Sequence, residues 1–427
     1  MADFLPPRGT QDLLAERSDA MLALYEDAHR LAGVFGFRYV ETPTFEHTDL
    51  FARAAGETSD VVTKEMYTFE DKGGRSLTLR PEITPGIVRA YLDHVHELGA
   101  PFRAYFVGTC FRHGRPQAGR LREFRQFDVE VIGDASPGSD VEVIEIADRF
   151  LRDQGLRQLA LKVNSIGDPV CRPAYRERLI AHLEPHADEL DQDCRVRLRV
   201  NPLRVFDCKV DGDKDFVLAA PTVSDHLCEA CRAHFAGVRA GLDAAGVVYE
   251  VDPRLVRGLD YYTRTAFEFV SGVLASSKQG TVCGGGRYDG LAEVLGGPPT
   301  PGTGFGLGLD RVLLAMEGEG LVLPAERSPQ VFVVAVSEDV RHTVDELVRR
   351  LRGAGVSAIS AFEERPLKAQ LRMADRTGAA YAAIVGEREM AEGVVTLRRL
   401  TDGAQEEVPA GDVAERLVRR HDRTERP

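Results

Sequence analysis

The chain has 427 residues, 43% hydrophobic and 28% charged, a length and balance that suit two or three globular domains around a sizeable core. A formal net charge of −13 argues against a histone-like or non-specific DNA coat, yet leaves room for a local basic patch on nucleic acid. No eighteen apolar residues run together and MADFLPPRGTQ has no apolar segment behind a basic flank, so no membrane span or signal peptide and a cytoplasmic location are expected.

In chain order, residues 14–35 put Met21, Leu24, Tyr25, Ala28, Leu31 and Ala32 on one helical face, with Gly33 and Gly36 marking the end. FRYVETPTFE reads as a strand up to Pro43. A long helix feeding an edge strand fits a subunit contact as well as packing within one chain. In MYTFEDKGGRSLTLRPEITPGIVRAYL a Lys-Gly-Gly turn joins two short strands, and Arg80-Pro81 breaks the second. A helix begins near Thr84 with Pro85 in its first turn, which leaves Glu82 at a strand-to-helix corner, exposed to a cleft.

Residues 106–133, FVGTCFRHGRPQAGRLREFRQFDVEVIG, read as an antiparallel hairpin with a long Gly- and Arg-rich loop. Period two sets Phe127, Val129 and Val131 on one face and Gln126, Asp128 and Glu130 on the other, with Arg112 ending the first strand beside the polar set. Arg112, Arg115, Arg120, Arg122 and Arg125 against Glu123 give the loop about +4, and guanidinium forks suit phosphate. Taken alone, the hairpin reads more readily as a solvated basic turn.

A helix and a strand follow. Residues 168–248 then read as an inserted module of amphipathic helices, after which strand patterning returns. The Gly-rich runs QGTVCGGGRYDG and PGTGFGLGLDR offer neither a Walker loop nor GxGxxG opening a helix. GFGLGL reads instead as a bare strand on which a flat ligand can lie against backbone. Past a linker, strands alternating with helices make a compact α/β domain from about residue 326, ending in an unstructured tail, DRTERP. The seven cysteines read as reduced thiols. Cys228 and Cys231 alone have ligand-like spacing. Zinc, with His234, Cys194 or Cys208 as further ligands, is weighed there below a simple thiol pair.

Assembled, these stretches resemble the class II aminoacyl-tRNA synthetases and, within them, the bacterial histidyl-tRNA synthetase family. FRHGRPQAGRLREF resembles the second class motif, GFGLGLDR the third, and the helix and strand ending at Pro43 the first, which in the family forms the dimer interface. LVRGLDYYT and CGGGRYDGL resemble the two segments peculiar to the histidine enzymes. The resemblance covers essentially the whole chain.

It implies an α+β catalytic core on a six-stranded antiparallel sheet (residues 1–325) interrupted by the helical insertion, and a C-terminal α/β anticodon-binding domain (residues 326–427). It implies a homodimer that activates histidine with ATP and magnesium and transfers the histidyl group to tRNA(His). Arg112, Arg257 and Arg311 match the catalytic, ATP-binding arginines, and Gly306 and Gly308 join them at the nucleotide. Glu82, Thr84, Gln126 and Glu130 line the histidine pocket, with Tyr261 and Tyr262 over the imidazole side. Arg115, Gln117 and Arg120 approach the acceptor end of tRNA, His113 stays on the surface, and no metal is held in an all-protein cage.

Two departures stand out. Gly114 replaces the acid usual two residues after the second-motif arginine, with Glu123 a candidate substitute, and Ile83-Thr84-Pro85 replaces Gly-Thr-Ala. The rival reading is the synthetase-like, non-catalytic regulatory subunit of ATP phosphoribosyltransferase, which binds histidine but lacks the anticodon domain.

Overall fold

The computed structural model describes residues 4–56, 61–117, 119–208, 210–275, 280–323 and 328–424. The chain divides into two units, Met1–Ala325 and Glu326–Pro427, with separate cores.

Helix α1 (Glu16–Val34) buries Ala20, Met21, Leu24, Ala28, Leu31 and Ala32, close to the face its period marks; Tyr25 is half-buried. Pro43 divides the next stretch between two sheets. Strand β1 (Arg38–Tyr39) joins the large sheet, and β2 (Phe45–His47) joins a small one with β3 (Tyr67–Glu70) and β4 (Ser76–Leu79), in the order β2-β4-β3. Helix α2 (Thr84–Asp93) takes Pro85 in its first turn, where a missing N–H leaves no helical bond unmade.

Strands β5 (Phe102–Phe111) and β6 (Glu123–Ile132) form the hairpin, and α3 (Pro137–Asp153) leads to β7 (Leu159–Ser165). The helical stretch follows, with α4 (Arg172–Leu183), α5 (Gln192–Val200) and α6 (Glu229–Ala245). Tyr175, Leu179, Leu183, Leu198 and Val205 give it a core of its own, while Val238 and Leu242 of α6 pack into the main core.

Strands β8 (Glu250–Val251), β9 (Thr263–Ser271), β10 (Thr281–Arg287) and β11 (Gly302–Gly308) complete an eight-stranded sheet, ordered β1-β5-β6-β11-β10-β9-β7-β8. Its six central strands are antiparallel, and the short β1 and β8 add in parallel at the edges. The expected six-stranded sheet is thus widened by two strands of two residues each, too short to leave a periodic signal.

Opposite residues in an antiparallel pair share a face. Gly304, Gly306 and Gly308 stand opposite Glu130, Asp128 and Gln126, so the bare side of β11 continues the polar side of β6. Phe305, Leu307, Phe127 and Val129 point the other way, into the core under α1, α3 and α7 (Leu309–Gly318).

The second unit holds β12 (Val331–Ala335), β13 (Ala358–Ser360), β14 (Tyr381–Val385), β15 (Val394–Arg399) and β16 (Gln405–Pro409), in the order β13-β12-β14-β15-β16. The first three are mutually parallel and the last two antiparallel. Helices α8 (Arg341–Gly353), α9 (Leu367–Arg376) and α10 (Val413–Thr424) and a short helical turn at Glu387–Glu392 accompany it. The expected unstructured tail is helical over residues 422–424, because α10 runs on past the last apolar position; residues 425–427 lie outside the described residues. No helix among the described residues is long and apolar enough to cross a membrane.

Candidate active site

A cavity of about 260 Å³ opens on the glycine face of the large sheet. Gln126 and Asp128 of β6, Gly306 and Gly308 of β11 and Gly284 of β10 form its floor. The bareness is steric. A Cβ on Gly306 would stand 2.6 Å from Asp128 Oδ1 and 2.8 Å from Gln126 Nε2, one on Gly304 would overlap Glu130 Oε2, and one on Gly284 would overlap the Arg257 guanidinium.

Arg112, Arg257 and Arg311, distant in sequence, all line this cavity. Arg112 Nε donates to the Pro81 carbonyl at 2.8 Å, and its guanidinium carbon lies 5.3 Å from the Phe124 ring centre. Arg311 donates from Nε to Gly119 O at 2.8 Å and from Nη1 to Thr281 O at 2.6 Å. Arg257 pairs with Glu268 and lies 5.6 Å over the Tyr262 ring. Burial pushes the pKa of Arg311 down, and the like charges of Arg112 and Arg120 push it further; such a cluster favours a polyanion between the cations. Burial also opposes the charge of Arg257, but Glu268 more than offsets it and holds the pKa above the usual arginine value.

Carboxyl groups line the same cavity. Glu82 accepts from Tyr261 OH at 2.8 Å, and its Oε1, like Gln126 Oε1 and Asp128 Oδ2, is buried without a hydrogen-bond partner among the described residues. Burial raises the pKa of Glu82 against the pull of Arg112, while burial with Glu130 and Glu82 drives Asp128 well above the ordinary carboxylate range. Buried acceptors of this kind suit a ligand that brings N–H donors and positive charge.

Thr84, Tyr261 and Tyr262 also line the cavity, the two rings 4.7 Å apart. Glu130 does not line it. Its wholly buried carboxyl accepts from Thr84 Oγ1 and Tyr288 OH, each at 2.5 Å, so it stands behind Thr84, and burial raises its pKa to about 8. Alternation assigns Glu130 the correct face, but its depth is set by α2 and Tyr288, which strand period cannot register. Asp128 does line the cavity, although the same alternation that marked Gln126 had given it no role.

Of the three hairpin-loop residues expected near tRNA, Arg115 and Gln117 are exposed and off the cavity, whereas Arg120 lines it. Glu123 does not line the cavity, but Glu65 does; it pairs with Arg120, and its carbonyl accepts from His113 N at 2.7 Å. A Cβ on Gly114 would approach Arg120 Nε to 2.8 Å, so the missing acid leaves room for Arg120 to lie across the loop backbone. His113 is exposed, with its ring 5.2 Å from that of Tyr67. Cys228 and Cys231 meet Asp168 and Cys171, not His234, Cys194 or Cys208. Cys194 and Cys208 meet Asp191 and Asp211, and His234 Nε2 lies 2.6 Å from Asp140 Oδ2.

Comparison with known proteins bears on what such a cavity serves. Residues 9–312 match the family model described as histidyl-tRNA synthetase, and residues 330–420 match one described as anticodon binding domain. A histidine-tRNA ligase of Moorella thermoacetica is 49% identical over 411 residues, 96% of each chain. One of Geobacillus thermodenitrificans is 43% identical over 424 residues, 99% of this chain and 100% of the relative. The crystal structure of apo S. aureus histidyl-tRNA synthetase superposes with a TM-score of 0.82 at 37% identity, over 97% of this chain and 99% of that one. Likeness of this depth runs through the strands that floor the cavity and on into the second unit, and the chain belongs to the histidyl-tRNA synthetase family, among the class II aminoacyl-tRNA synthetases.

Proposed function

We propose that the protein activates histidine with ATP to histidyl-adenylate and transfers the histidyl group to the 3′ end of tRNA(His). The observation that carries this reading is that Arg112, Arg257 and Arg311 line one cavity together with Glu82, Thr84 and Gln126.

In the first step an oxygen of the histidine carboxylate bonds to the α-phosphorus of ATP as pyrophosphate leaves. The carboxylate is already ionised at neutral pH, so no general base is needed. Arg112 and Arg257 hold the α-phosphate and the attacking carboxylate, and Arg311 holds the γ-phosphate. Their anchors on peptide carbonyls and Glu268 fix them before charge develops, which is how positioned cations lower such a barrier. Gly306 and Gly308 let the nucleotide lie against backbone. Magnesium would accompany the nucleotide and neutralise phosphate charge.

Glu82, Thr84 and Gln126 offer polar partners to the amino group and ring nitrogens of histidine, Glu130 orients Thr84 from behind, and Tyr261 and Tyr262 close the imidazole side. A site whose buried acceptors need those N–H groups rejects amino acids lacking them by about 10⁴ or more. In the second step the terminal ribose hydroxyl of tRNA takes the acyl group and AMP leaves. The loop bearing Arg115, Gln117 and Arg120 receives the acceptor end, and the C-terminal unit, residues 326–427, receives the anticodon. Exposed Val34, Tyr39 and Phe45 along α1, β1 and β2 support a homodimer through that surface, in a cytoplasmic enzyme.

The regulatory-subunit reading is disfavoured by the retained Arg257 and by the match of residues 330–420 to an anticodon-binding domain. A structure described as an ATP phosphoribosyltransferase regulatory subunit/histidyl-tRNA synthetase from Bacillus halodurans C shares the fold, with a TM-score of 0.64 at 21% identity over 90% of this chain and 98% of that one. The deciding experiment is exchange of labelled pyrophosphate into ATP with each of the twenty amino acids. Exchange with histidine alone is expected; no histidine-dependent exchange would overturn the proposal.

A further inference from the structure

We propose that Asp168, Cys171, Cys228 and Cys231 form a structural zinc site that pins the helical insertion beside the wall of the active-site cavity. Zinc binds thiolates at about 2.3 Å, so two sulfurs on a tetrahedron stand roughly 3.8 Å apart. Cys171 Sγ lies 3.9 Å from Cys231 Sγ and 3.5 Å from Asp168 Oδ1, and Cys228 Sγ lies 3.9 Å from that same oxygen. The four ligand atoms are all within 4.8 Å of one another. Three edges thus match a tetrahedron of the size zinc requires, and the other three are no longer than 4.8 Å.

The backbone supports the arrangement. Asp168 and Cys171, like Cys228 and Cys231, are spaced by three, and the two pairs lie at the starts of α4 and α6. Cys231 N donates to Cys228 Sγ at 3.4 Å, and Val170 N and Cys171 N donate to Asp168 Oδ1 at 3.0 and 3.3 Å. Gly167, at φ +70°, clears the way for the Cys171 sulfur, which would otherwise lie 2.7 Å from a Cβ. A second cluster, Asp191, Cys194, Cys208 and Asp211, provides a contrast. There Lys214 Nζ already stands 2.8 Å from Asp211 Oδ1, so a cation is supplied by the chain itself. At the first cluster Arg264 Nη2 stands farther off, 3.5 Å from Asp168 Oδ2, and the guanidinium of Arg172 bonds to the carbonyls of Ile166 and Tyr262.

The location gives the metal a role. Arg172, adjacent to Cys171, donates from Nε to Ile166 O at 2.9 Å and from Nη2 to the carbonyl of Tyr262, while Arg264 N donates to Gly167 O at 2.7 Å. A metal at Cys171 therefore stiffens the backbone that carries Tyr262. It also supplements the small core of the insertion, as metals commonly do where apolar burial is limited.

The test is the metal content of the full-length protein purified reduced, without chelator and with zinc supplied. One zinc per chain is expected, with cobalt replacing it to give sulfur-to-cobalt charge-transfer absorption and tetrahedral d–d bands. Cys228→Ser, at the partly exposed ligand, should lower zinc content at least tenfold, and Cys208→Ser should leave it unchanged. Should Cys228→Ser fail to fold, alkylation of wild-type Cys228, protected by zinc and released by chelator, reports the same ligation. A wild type without zinc or the cobalt signature, zinc retained in folded Cys228→Ser, zinc lost from folded Cys208→Ser, or a Cys171–Cys231 disulfide would each overturn the proposal. None of these readouts depends on ligase activity.

Discussion

At the scale of single residues, the site depends as much on side chains that are missing as on those present. Gly306→Ala would place a methyl group 2.6 Å from Asp128 Oδ1 and 2.8 Å from Gln126 Nε2, displacing both within the space proposed for histidine. Histidine-dependent pyrophosphate exchange should fall at least about tenfold, in line with catalysis that is sensitive to misplacement of about 1 Å. Arg257→Ala should lower the exchange rate by about a hundredfold with the fold retained by circular dichroism, as for loss of one charge-stabilising donor. Glu130 carries a pH signature. Its folded pKa, about 8, exceeds the ordinary 4.5, so the folded state keeps a proton that the unfolded state has lost, and the stability tied to it declines as pH rises through that window. Glu130→Gln has no proton to lose, and its melting temperature should gain on the wild type as pH rises from about 5 to about 8. Alternation along FRQFDVEVI was enough to show that Gln126, Asp128 and Glu130 share a face. The recession of Glu130 behind Thr84, and the arrival of Glu65 where Glu123 was expected, come from elements packed on that face, which no local pattern encodes.

At the scale of elements, a buried junction locks four of them together. Arg287 of β10 and Asp140 of α3 are wholly buried, with Nη2 2.8 Å from Oδ1, and Thr265 of β9 and His234 of α6 each reach Asp140 Oδ2 at 2.6 Å. Burial works against the charge of Asp140, but His234 and Arg287 hold its pKa below the usual 3.8. Asp140→Ala leaves the buried guanidinium with Asp289, 3.1 Å from Nη1, as its remaining carboxylate partner, and should cost about 3 kcal/mol in chemical denaturation at neutral pH. That penalty should shrink as pH falls below about 4, because the wild-type carboxylate contributes its stability only while ionised. Legibility followed periodicity at this scale. The face of α1 and the β5–β6 hairpin could be read from spacing, whereas β10, with three consecutive glycines, exists through its pairing with β9 and β11 on either side. Likewise β16, rich in glutamate and glutamine, takes its place as an edge strand of the second sheet.

At the scale of the whole molecule, the two units divide the proposed work. A chain ending at Ala325 keeps every residue of the cavity. It should retain histidine-dependent pyrophosphate exchange within about tenfold while tRNA charging falls by at least about a hundredfold, since recognition energy from remote contacts raises the rate of the transfer step. Equal losses in both assays would contradict the division. The unit boundary and the order of the motifs were legible because each lies in contiguous sequence. The gathering of Arg112, Arg257 and Arg311 was legible only through family resemblance, since no spacing rule brings three such distant residues together.

The seam between β6 and β11 has a consequence for biosynthesis. When β6 leaves the ribosome, the strand that will cover its open edge lies roughly 170 residues further on, on the order of ten seconds or more of translation. Throughout that interval the nascent chain presents Phe127, Val129 and Val131 on an unsatisfied strand edge, with half a catalytic floor already laid down. A ribosome stalled within the insertion should therefore carry a polypeptide that is inactive and prone to self-association, and release past Gly308 should restore solubility and substrate binding together.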